Sequence, residues 1–425
     1  MSATHPVDAC LLDRLAALPS DRVVLRQGGH GTTVGGLCAA ARKLRSSGEV
    51  ERGAPSLLQH NDPRELVMRL VAWDGWCSRL VLAPASLDAD ATAALEQAAP
   101  APRPGPTAWV LATSGTTGAP KAVAHTLAGL SRTVRADAVA GARFRWGLLY
   151  DPCRFAGLQV VLQALLAGSE LVLTSGDFDS QVSTLAEARI NALSATPTLW
   201  RKLLIDGRIT ACPLRQITLG GEIADAVILD QLRAAFPEAR VIHIYASTEA
   251  GVGFAVSDGR PGFPAGLLAD GVTGTRLRIA DGRLWIRPAA HPPEGAALSR
   301  DADGFIDTLD QVEEVDGRIR FLGRANGAIN VGGNKVHPEV VEAALRTHPG
   351  VAEARAAGRA NPFTGQVVTA EVVPRPGAAA DGLTDELRAW CRGRLRPFEI
   401  PAVIRCVAAI APSAAGKLGR HGTAS

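Results

Sequence analysis

Thr113-Ser-Gly-Thr-Thr-Gly-Ala-Pro-Lys121 is the stretch on which the reading of this chain turns. Four hydroxyls and two glycines fill its first six positions, and a lysine closes it. That lysine is scarce material: among 45 Lys and Arg side chains the lysines are Lys43, Lys121, Lys202, Lys335 and Lys417. Glycines let backbone N–H groups converge on an oxyanion, hydroxyls add donors, and an ammonium adds a point charge, so the stretch suits a phosphate cradle. The Gly-Lys-Ser/Thr of a Walker A loop is missing at the required spacing. A plain polar Ser/Thr/Gly loop has a similar composition. Position separates the two, because Trp109–Thr113 reads as a strand that runs straight into the loop.

Working outward, β-branched runs alternate with helical ones from about residue 105 to 250. Leu127–Ala140 reads as a helix with Thr126 as N-cap, Gly157–Ala167 as a helix stopped by Gly168, and Glu170–Thr174 as a strand. Val182–Arg189 and Ala224–Phe236 read as helices, and Arg240–Tyr245 as a buried strand. This alternation predicts an α/β domain with mostly parallel sheets covered by helices, and in such sheets ligands sit beyond the carboxyl ends of the strands. The texture then changes. Arg276–Ala280 and Arg283–Arg287 flank Asp281-Gly282, a hairpin signal, and Arg318–Leu322 is another short strand. Pro338–His348 and Asp385–Arg396 (helices) with Gln366–Val373 and Val403–Val407 (strands) predict a small α+β unit. The fold expected is a large N-terminal α/β domain with a β-rich subdomain, then a small mobile α+β C-terminal domain, divided as 1–325 and 326–425.

With 425 residues, 47% hydrophobic and 20% charged, the chain has ample material for buried cores, which excludes a disordered or collagen-like protein. A net charge of +3 gives no electrostatic case for nucleic acid or a membrane surface as partner. The 7 cysteines form no C-x-x-C pair and the 9 histidines no H-E-x-x-H, so reduced thiols are expected rather than disulfides or zinc. No basic-then-apolar leader is read at the start and no stretch is apolar enough to span a bilayer, so a cytoplasmic protein is expected.

Further segments follow the loop in order. Gly220-Gly221-Glu222 succeeds the strand Arg215–Leu219, and Tyr245-Ala-Ser-Thr248-Glu249 ends the strand that begins at Arg240. Thr308-Leu-Asp310 comes next, then Gly323-Arg324 opening GRANGAINVGGNKVHPEVVE, and finally Pro412-Ser-Ala-Ala-Gly416-Lys417. Together these resemble the motifs of the adenylate-forming superfamily, which includes acyl- and aryl-CoA ligases, peptide-synthetase adenylation domains and luciferases. The style of Asn334-Lys335-Val-His337-Pro338 is similar to that of the aryl-CoA ligases. The resemblance covers residues 107–420 and leaves an N-terminal subdomain that reads as shortened.

The resemblance implies roles. Thr113, Ser114, Gly115, Thr116, Thr117, Gly118 and Lys121 would hold the β- and γ-phosphates of ATP. Glu249 would bind Mg²⁺, a hard cation suited to carboxylate and phosphate oxygens, and Thr248 a phosphate oxygen. Asp310 would accept both ribose hydroxyls. Tyr245 would stack on adenine beside Gly221 and Glu222, and Arg324 would steady the ribose or a phosphate. Lys417 would reach the carboxylate and α-phosphate during adenylation only. Asn326, with Gly327 after it, would be the hinge, after whose rotation Gly332 and Gly333 would line the passage for a phosphopantetheine thiol. By itself Gly332-Gly333 equally reads as a tight turn. The acyl pocket is expected from Arg154, Phe155, Gly157, Leu219, Gly220, His243, Ala246 and Gly251, which fits a small aromatic or short acyl acid.

Several positions depart from the family's pattern: Ala246 and Leu309 stand where it has glycine, and Ala122 follows Lys121. Arg154 stands where aryl ligases commonly carry histidine; it reads either as a fork for a substrate anion or as a partner of Asp151. Glu399 reads as repelling a CoA 3′-phosphate. The expectation is therefore ATP-dependent carboxylate adenylation followed by thioester formation with CoA. The alternatives are loading of a carrier protein's phosphopantetheine, and a nucleotide-binding relative without ligase activity.

Overall fold

The computed structural model describes residues 9–101, 104–113, 121–272, 274–288, 293–295, 300–378, 382–411, 413 and 416–418. Two sheets share the large domain. One runs Pro55–Leu58, Arg79–Leu82, Ala108–Thr113, Lys121–His125, parallel except for its last strand. The other has eight strands in the order Gly251–Val256, Arg240–Ser247, Gln216–Gly220, Ala192–Ala195, Arg145–Leu148, Glu170–Leu173, Val23–Gln27, His30–Thr33. Its interior pairs are parallel and both edge strands antiparallel, as expected of a sheet whose helices cover its faces. The helix Phe155–Leu166 is apolar around most of its girth because it lies inside the main core.

The helix Pro197–Asp206 does most to position the site. Thr196 caps it, its hydroxyl accepting from the Leu199 N–H at 3.1 Å, and Pro197 occupies its first turn where no N–H is missed. Gly207, at φ +84°, ends it in the left-handed region. Trp200 is fully buried, and its indole N–H donates to the Thr218 carbonyl at 3.0 Å. The helix is thereby pinned to the strand Gln216–Gly220; a Trp-to-Ala change at such a position costs about 3–5 kcal/mol.

A five-stranded antiparallel sheet, Phe263–Pro264, Arg318–Arg324, Ile306–Val315, Arg283–Arg287, Arg276–Ala280, forms the β-rich subdomain. Its Asp281-Gly282 turn has φ +50° and +68°, the left-handed pair that a two-residue hairpin needs. Beyond it lies the C-terminal unit, where Ile329–Val331, Asn334–Val336, Val351–Asn361, Gly365–Pro374 and Val403–Cys406 form a sheet covered by the helices Pro338–Arg346 and Leu383–Arg392. It has its own hydrophobic core, separate from that of the large domain.

One expectation needs correction. Leu127–Ala140 is not one helix: Leu127–Leu130 and Ala138–Gly141 are single turns, the first capped by Thr126 and the second by Asp137. The chain between them leaves the helical path, and there the Arg132 guanidinium donates to the Val252 carbonyl at 2.5 Å. The early residues, read as shortened, take full part in the fold. They supply two strands to each sheet, and the helices Val34–Ser46 and Pro63–Trp73 pack into the main core.

Candidate active site

The carboxyl ends of the parallel strands open into a cleft of about 2840 Å³, walled on the far side by the C-terminal unit. Thr113, Gly221, Tyr245, Glu249, Asp310 and Lys417 all line it. The strand Gln216–Gly220 ends at Gly220-Gly221, and Gly221 holds φ +81°. The strand Arg240–Ser247 delivers Tyr245, and the turn into Gly251–Val256 carries Thr248 and Glu249, braced by the Ala250 N–H donating to the Ser247 hydroxyl at 3.0 Å. Of the loop that opened the sequence reading, Ser114, Gly115, Thr116, Thr117 and Gly118 lie outside the described residues. Its flanks are described: Thr113 and Lys121 oppose one another in the antiparallel ladder, and Lys121 is exposed.

Lys417 arrives from the other wall. The described part of its segment is docked almost entirely through backbone. The Leu418 N–H donates to Glu222 Oε1 at 2.6 Å, the Gly416 carbonyl accepts from the Thr196 hydroxyl, and the Ser413 N–H donates to the Lys417 carbonyl at 2.7 Å. Gly416 has φ +68°, and a Cβ on it would meet Leu199 Cδ1 at 2.6 Å. The lysine side chain lies against Gly221, where a Cβ would stand 3.2 Å from Lys417 Cε. Desolvation by the protein around the cleft holds the ammonium below its ordinary pKa, against the attraction of Glu222, Glu249 and Asp310. Glu222 therefore does more than its expected place beside adenine implies. Its carboxylate also accepts from Thr198, from the N–H at 3.0 Å and the hydroxyl at 3.1 Å, and so ties the lysine segment to the helix Pro197–Asp206.

Asp310 sits at the centre of a polar cluster. One carboxylate oxygen accepts from the Tyr245 hydroxyl, and the other from Arg324 Nε at 3.2 Å. Tyr245 differs from expectation. Its ring lies parallel to both Phe254 and Phe321, each with centroids 5.2 Å away, so the surface assigned to adenine is engaged by aromatic neighbours. Leu309, the residue in the family's glycine position, holds φ +61°, a conformation glycine adopts freely and leucine does not.

The acyl end is only partly as expected. Arg154, Phe155, Gly220, His243 and Ala246 line the cleft, whereas Leu219 faces the hydrophobic core with no exposed surface. Gly157 serves close packing instead, since a Cβ there would lie 2.1 Å from the Asp151 carbonyl oxygen. Gly251 supplies the positive-φ turn at +71° after Glu249. Arg154 Nε stands 3.8 Å from Asp151, a loose pair, and His243 Nε2 is tied to the Gly262 carbonyl at 2.8 Å.

Asn326 lies in a short 3-10 turn, Ala325–Gly327, that borders the cleft. Gly332 and Gly333, at φ +57° and +87°, form an exposed two-residue hairpin turn away from it. Glu399 does not project a repelling charge: it is buried, and its carboxylate accepts from the Arg396 N–H at 2.8 Å in a capping box.

His125 was not legible in advance. It ends the strand that begins at Lys121, its ring tilts against Phe155 with centroids at 5.7 Å, and burial pushes its imidazole down to about 4 despite a hydrogen bond with the Thr248 backbone. A neutral ring thus supports the Thr248–Glu249 turn. The only signal in the sequence was its position in the strand after the loop.

Among the described residues no helix is long and apolar enough to cross a membrane, and no three His, Cys, Asp or Glu side chains converge as a preformed metal site.

Comparison with known proteins agrees with this geometry. The AMP-binding enzyme family matches residues 47–290, and the AMP-binding enzyme C-terminal domain matches 340–417. A probable 2-succinylbenzoate–CoA ligase of Mycobacterium tuberculosis is 32% identical over 74% of this chain and 82% of its own length. An isonitrile lipopeptide synthase of Streptomyces coeruleorubidus is 30% identical over 75% of this chain, which spans only 23% of that protein. In fold, the chain is similar to the o-succinylbenzoate CoA synthetase of Bacillus subtilis in complex with its acyl-adenylate intermediate, with TM-score 0.72, 20% identity and 96% of each chain covered. Ordered motifs, a cleft at the strand ends and a lysine delivered by a separate C-terminal unit place this chain in the AMP-binding enzyme family, within the adenylate-forming superfamily.

Proposed function

We propose that the chain is an ATP-dependent acid–thiol ligase whose adenylation domain is residues 1–325 and whose lid is 326–425. In the first half-reaction a carboxylate oxygen attacks the α-phosphorus of ATP and pyrophosphate departs. In the second a pantetheine thiol attacks the acyl carbon and AMP departs. The observation that carries this reading is the placement of Lys417 at Gly221, facing Glu249 and Asp310 across one cleft. An ammonium there balances the charge that develops between the carboxylate and the α-phosphate.

The loop Thr113–Lys121 would bind the outer phosphates. Asp310, oriented by Tyr245 and Arg324, would take the ribose hydroxyls; adenine would then lie along the edge of the Tyr245–Phe321 stack or replace one of its rings. Glu249 is a single carboxylate facing the space for phosphates, a donor set that fits Mg²⁺, which keeps waters and shares phosphate oxygens. When bound, the ion would neutralise phosphate charge; Thr248 would donate to a phosphate oxygen beside it.

For the acid, the buried Tyr150 and Phe155 with Arg154 at the rim suit an aromatic or short acyl group. The 2-succinylbenzoate specificity named for the Mycobacterium relative supports the aromatic choice. CoA is the acceptor favoured, because that relative is named a CoA ligase and the Glu399 charge is turned inward. Likeness to one part of a long lipopeptide synthase keeps a carrier-protein thiol as the second reading.

The test is carboxylate-dependent pyrophosphate release from Mg-ATP across benzoates, cinnamates, short fatty acids and amino acids, then CoA and a holo-carrier offered side by side. Release with one acid class and thioester on CoA are expected. Silence across the panel from folded, ATP-binding protein sinks the ligase reading, and strict preference for the carrier overturns CoA.

A further inference from the structure

Along the wall of the same cleft, five charged side chains meet where the two domains touch. Arg201 comes from the helix Pro197–Asp206, and Asp225 caps the helix Ala226–Ala235, accepting from the Ile228 N–H at 3.0 Å. Arg346 and Glu342 come from the last turns of Pro338–Arg346, and Glu353 from the strand Val351–Asn361. Their side chains are 2–12% exposed, so water screens them little.

The two shortest contacts stay within a domain: Arg201 to Asp225 at 2.5 Å, and Arg346 to Glu353 at 2.5 Å, with Arg346 also reaching Glu342 of its own helix at 3.6 Å. Both contacts that cross between domains are longer than those two: Arg346 to Asp225 at 3.3 Å, and Arg201 to Glu353 at 3.6 Å. Arg201 Nε and Glu353 Oε2 make no hydrogen bond although both are buried. Separation of the domains therefore leaves each half with its own ion pair and strands no lone charge, which is the large penalty of breaking a buried pair. Closure adds two longer attractions that demand one relative orientation.

We propose that Arg201, Asp225, Arg346 and Glu353 form a reversible interdomain clasp that positions Lys417 for adenylation. The mechanical link is on the page. Arg201 lies one turn along the helix whose cap, Thr196, and whose Leu199 receive Gly416, and whose Thr198 is tied through Glu222 to the Leu418 amide. Clasp and lysine segment thus grip the same helix from opposite parts of the C-terminal unit. These four are positioning residues, paired with one another across the domain boundary. The clasp rests on the ligase reading for its purpose, though not for its existence.

The test uses Asp225→Asn, which keeps a capping side chain on the Ala226–Ala235 helix, and the double variant Asp225→Asn/Glu353→Gln, which weakens both crossings. Spin labels on the exposed Cys406 and on a Ser47→Cys site, in a Cys10→Ser background, report the interdomain distance with Mg-ATP alone. A single narrow distance is expected for the parent, and a second, longer population in the variants, with the docked-to-released ratio lower by roughly 5–150-fold. For the acid found by pyrophosphate release, adenylation falls by a similar factor while thiolation of its supplied acyl-adenylate is kept. Unchanged distances in variants with parental circular dichroism overturn the clasp. So does an equal loss in both half-reactions, the mark of a merely structural role. If the double variant fails to fold, Asp225→Asn decides alone. A parent that releases no pyrophosphate with any acid defeats the ligase reading, while the distance measurement still decides the clasp.

Discussion

Lys121 and Lys417 approach one cleft by opposite routes. Lys121 begins a strand and is fixed by the ladder opposite Thr113, so its place follows from the folding of the large domain. Lys417 belongs to a unit with a separate core and is held by the backbone of its neighbours to Thr196 and Glu222. On the proposed ligase reading the first lysine would be a permanent fixture and the second delivered, because a cation that stabilises adenylation would have to leave before a thiol could enter.

The comparison breaks most sharply at the lysine itself. Lys417→Ala is expected to lower pyrophosphate release by roughly 10²–10³-fold, the scale for losing one preorganised charge or donor. Thioester formation from supplied acyl-adenylate should stay near parental; parallel loss of both would erase the distinction between fixture and delivery. Asp310→Ala comes next. It removes the acceptor shared by Tyr245 and Arg324, and a rise of roughly 10–100-fold in KM for ATP is expected from the worth of charged hydrogen bonds. Isothermal titration with ATP checks it independently of turnover.

Gly221→Ala sharpens the point from the receiving side. The added Cβ would stand 3.2 Å from Lys417 Cε at a φ of +81°, so adenylation should fall about tenfold by a strain of 1–2 kcal/mol. ATP affinity should change less than turnover. The pH profile separates the lysines further. Lys417 is held below its ordinary value of 10.5 by desolvation, so its active ammonium is lost on the alkaline side before a free lysine would lose it. Docking of the segment releases protons and so does not weaken as pH rises. The expected result is an alkaline limb on adenylation that Lys417→Arg removes. The smallest effect is Leu309→Gly: relief of the φ +61° conformation should raise the unfolding midpoint in urea, by a gain of up to about 1 kcal/mol.

Legibility followed the range of the physical cause. The strand before the loop, the Asp281-Gly282 hairpin and the glycine at the stop of Phe155–Leu166 arise from local spacing and were readable, while the order of the site motifs was readable through the family resemblance. Leu127–Ala140 misled because its helical composition is local while the pull of Val252 on Arg132 is not. Glu399 misled because charge alone does not say whether a carboxylate caps a turn or faces solvent. Leu219 was placed in the pocket by neighbourhood, yet alternation along its strand turns it into the core. Arg346 and Asp225 are 121 positions apart, and no periodicity links them. Nor does Tyr245's composition disclose that Phe254 and Phe321 share its ring surface.

The docking of the lysine segment has one more consequence. The large domain reads a carbonyl at 416, an amide at 418 and the absence of a side chain at Gly416, and the Leu418 side chain is buried beside them. Such recognition resembles that of a backbone-reading peptide receptor. The address of the segment is therefore written mostly in its conformation, with Gly416 and the buried Leu418 as its two side-chain requirements.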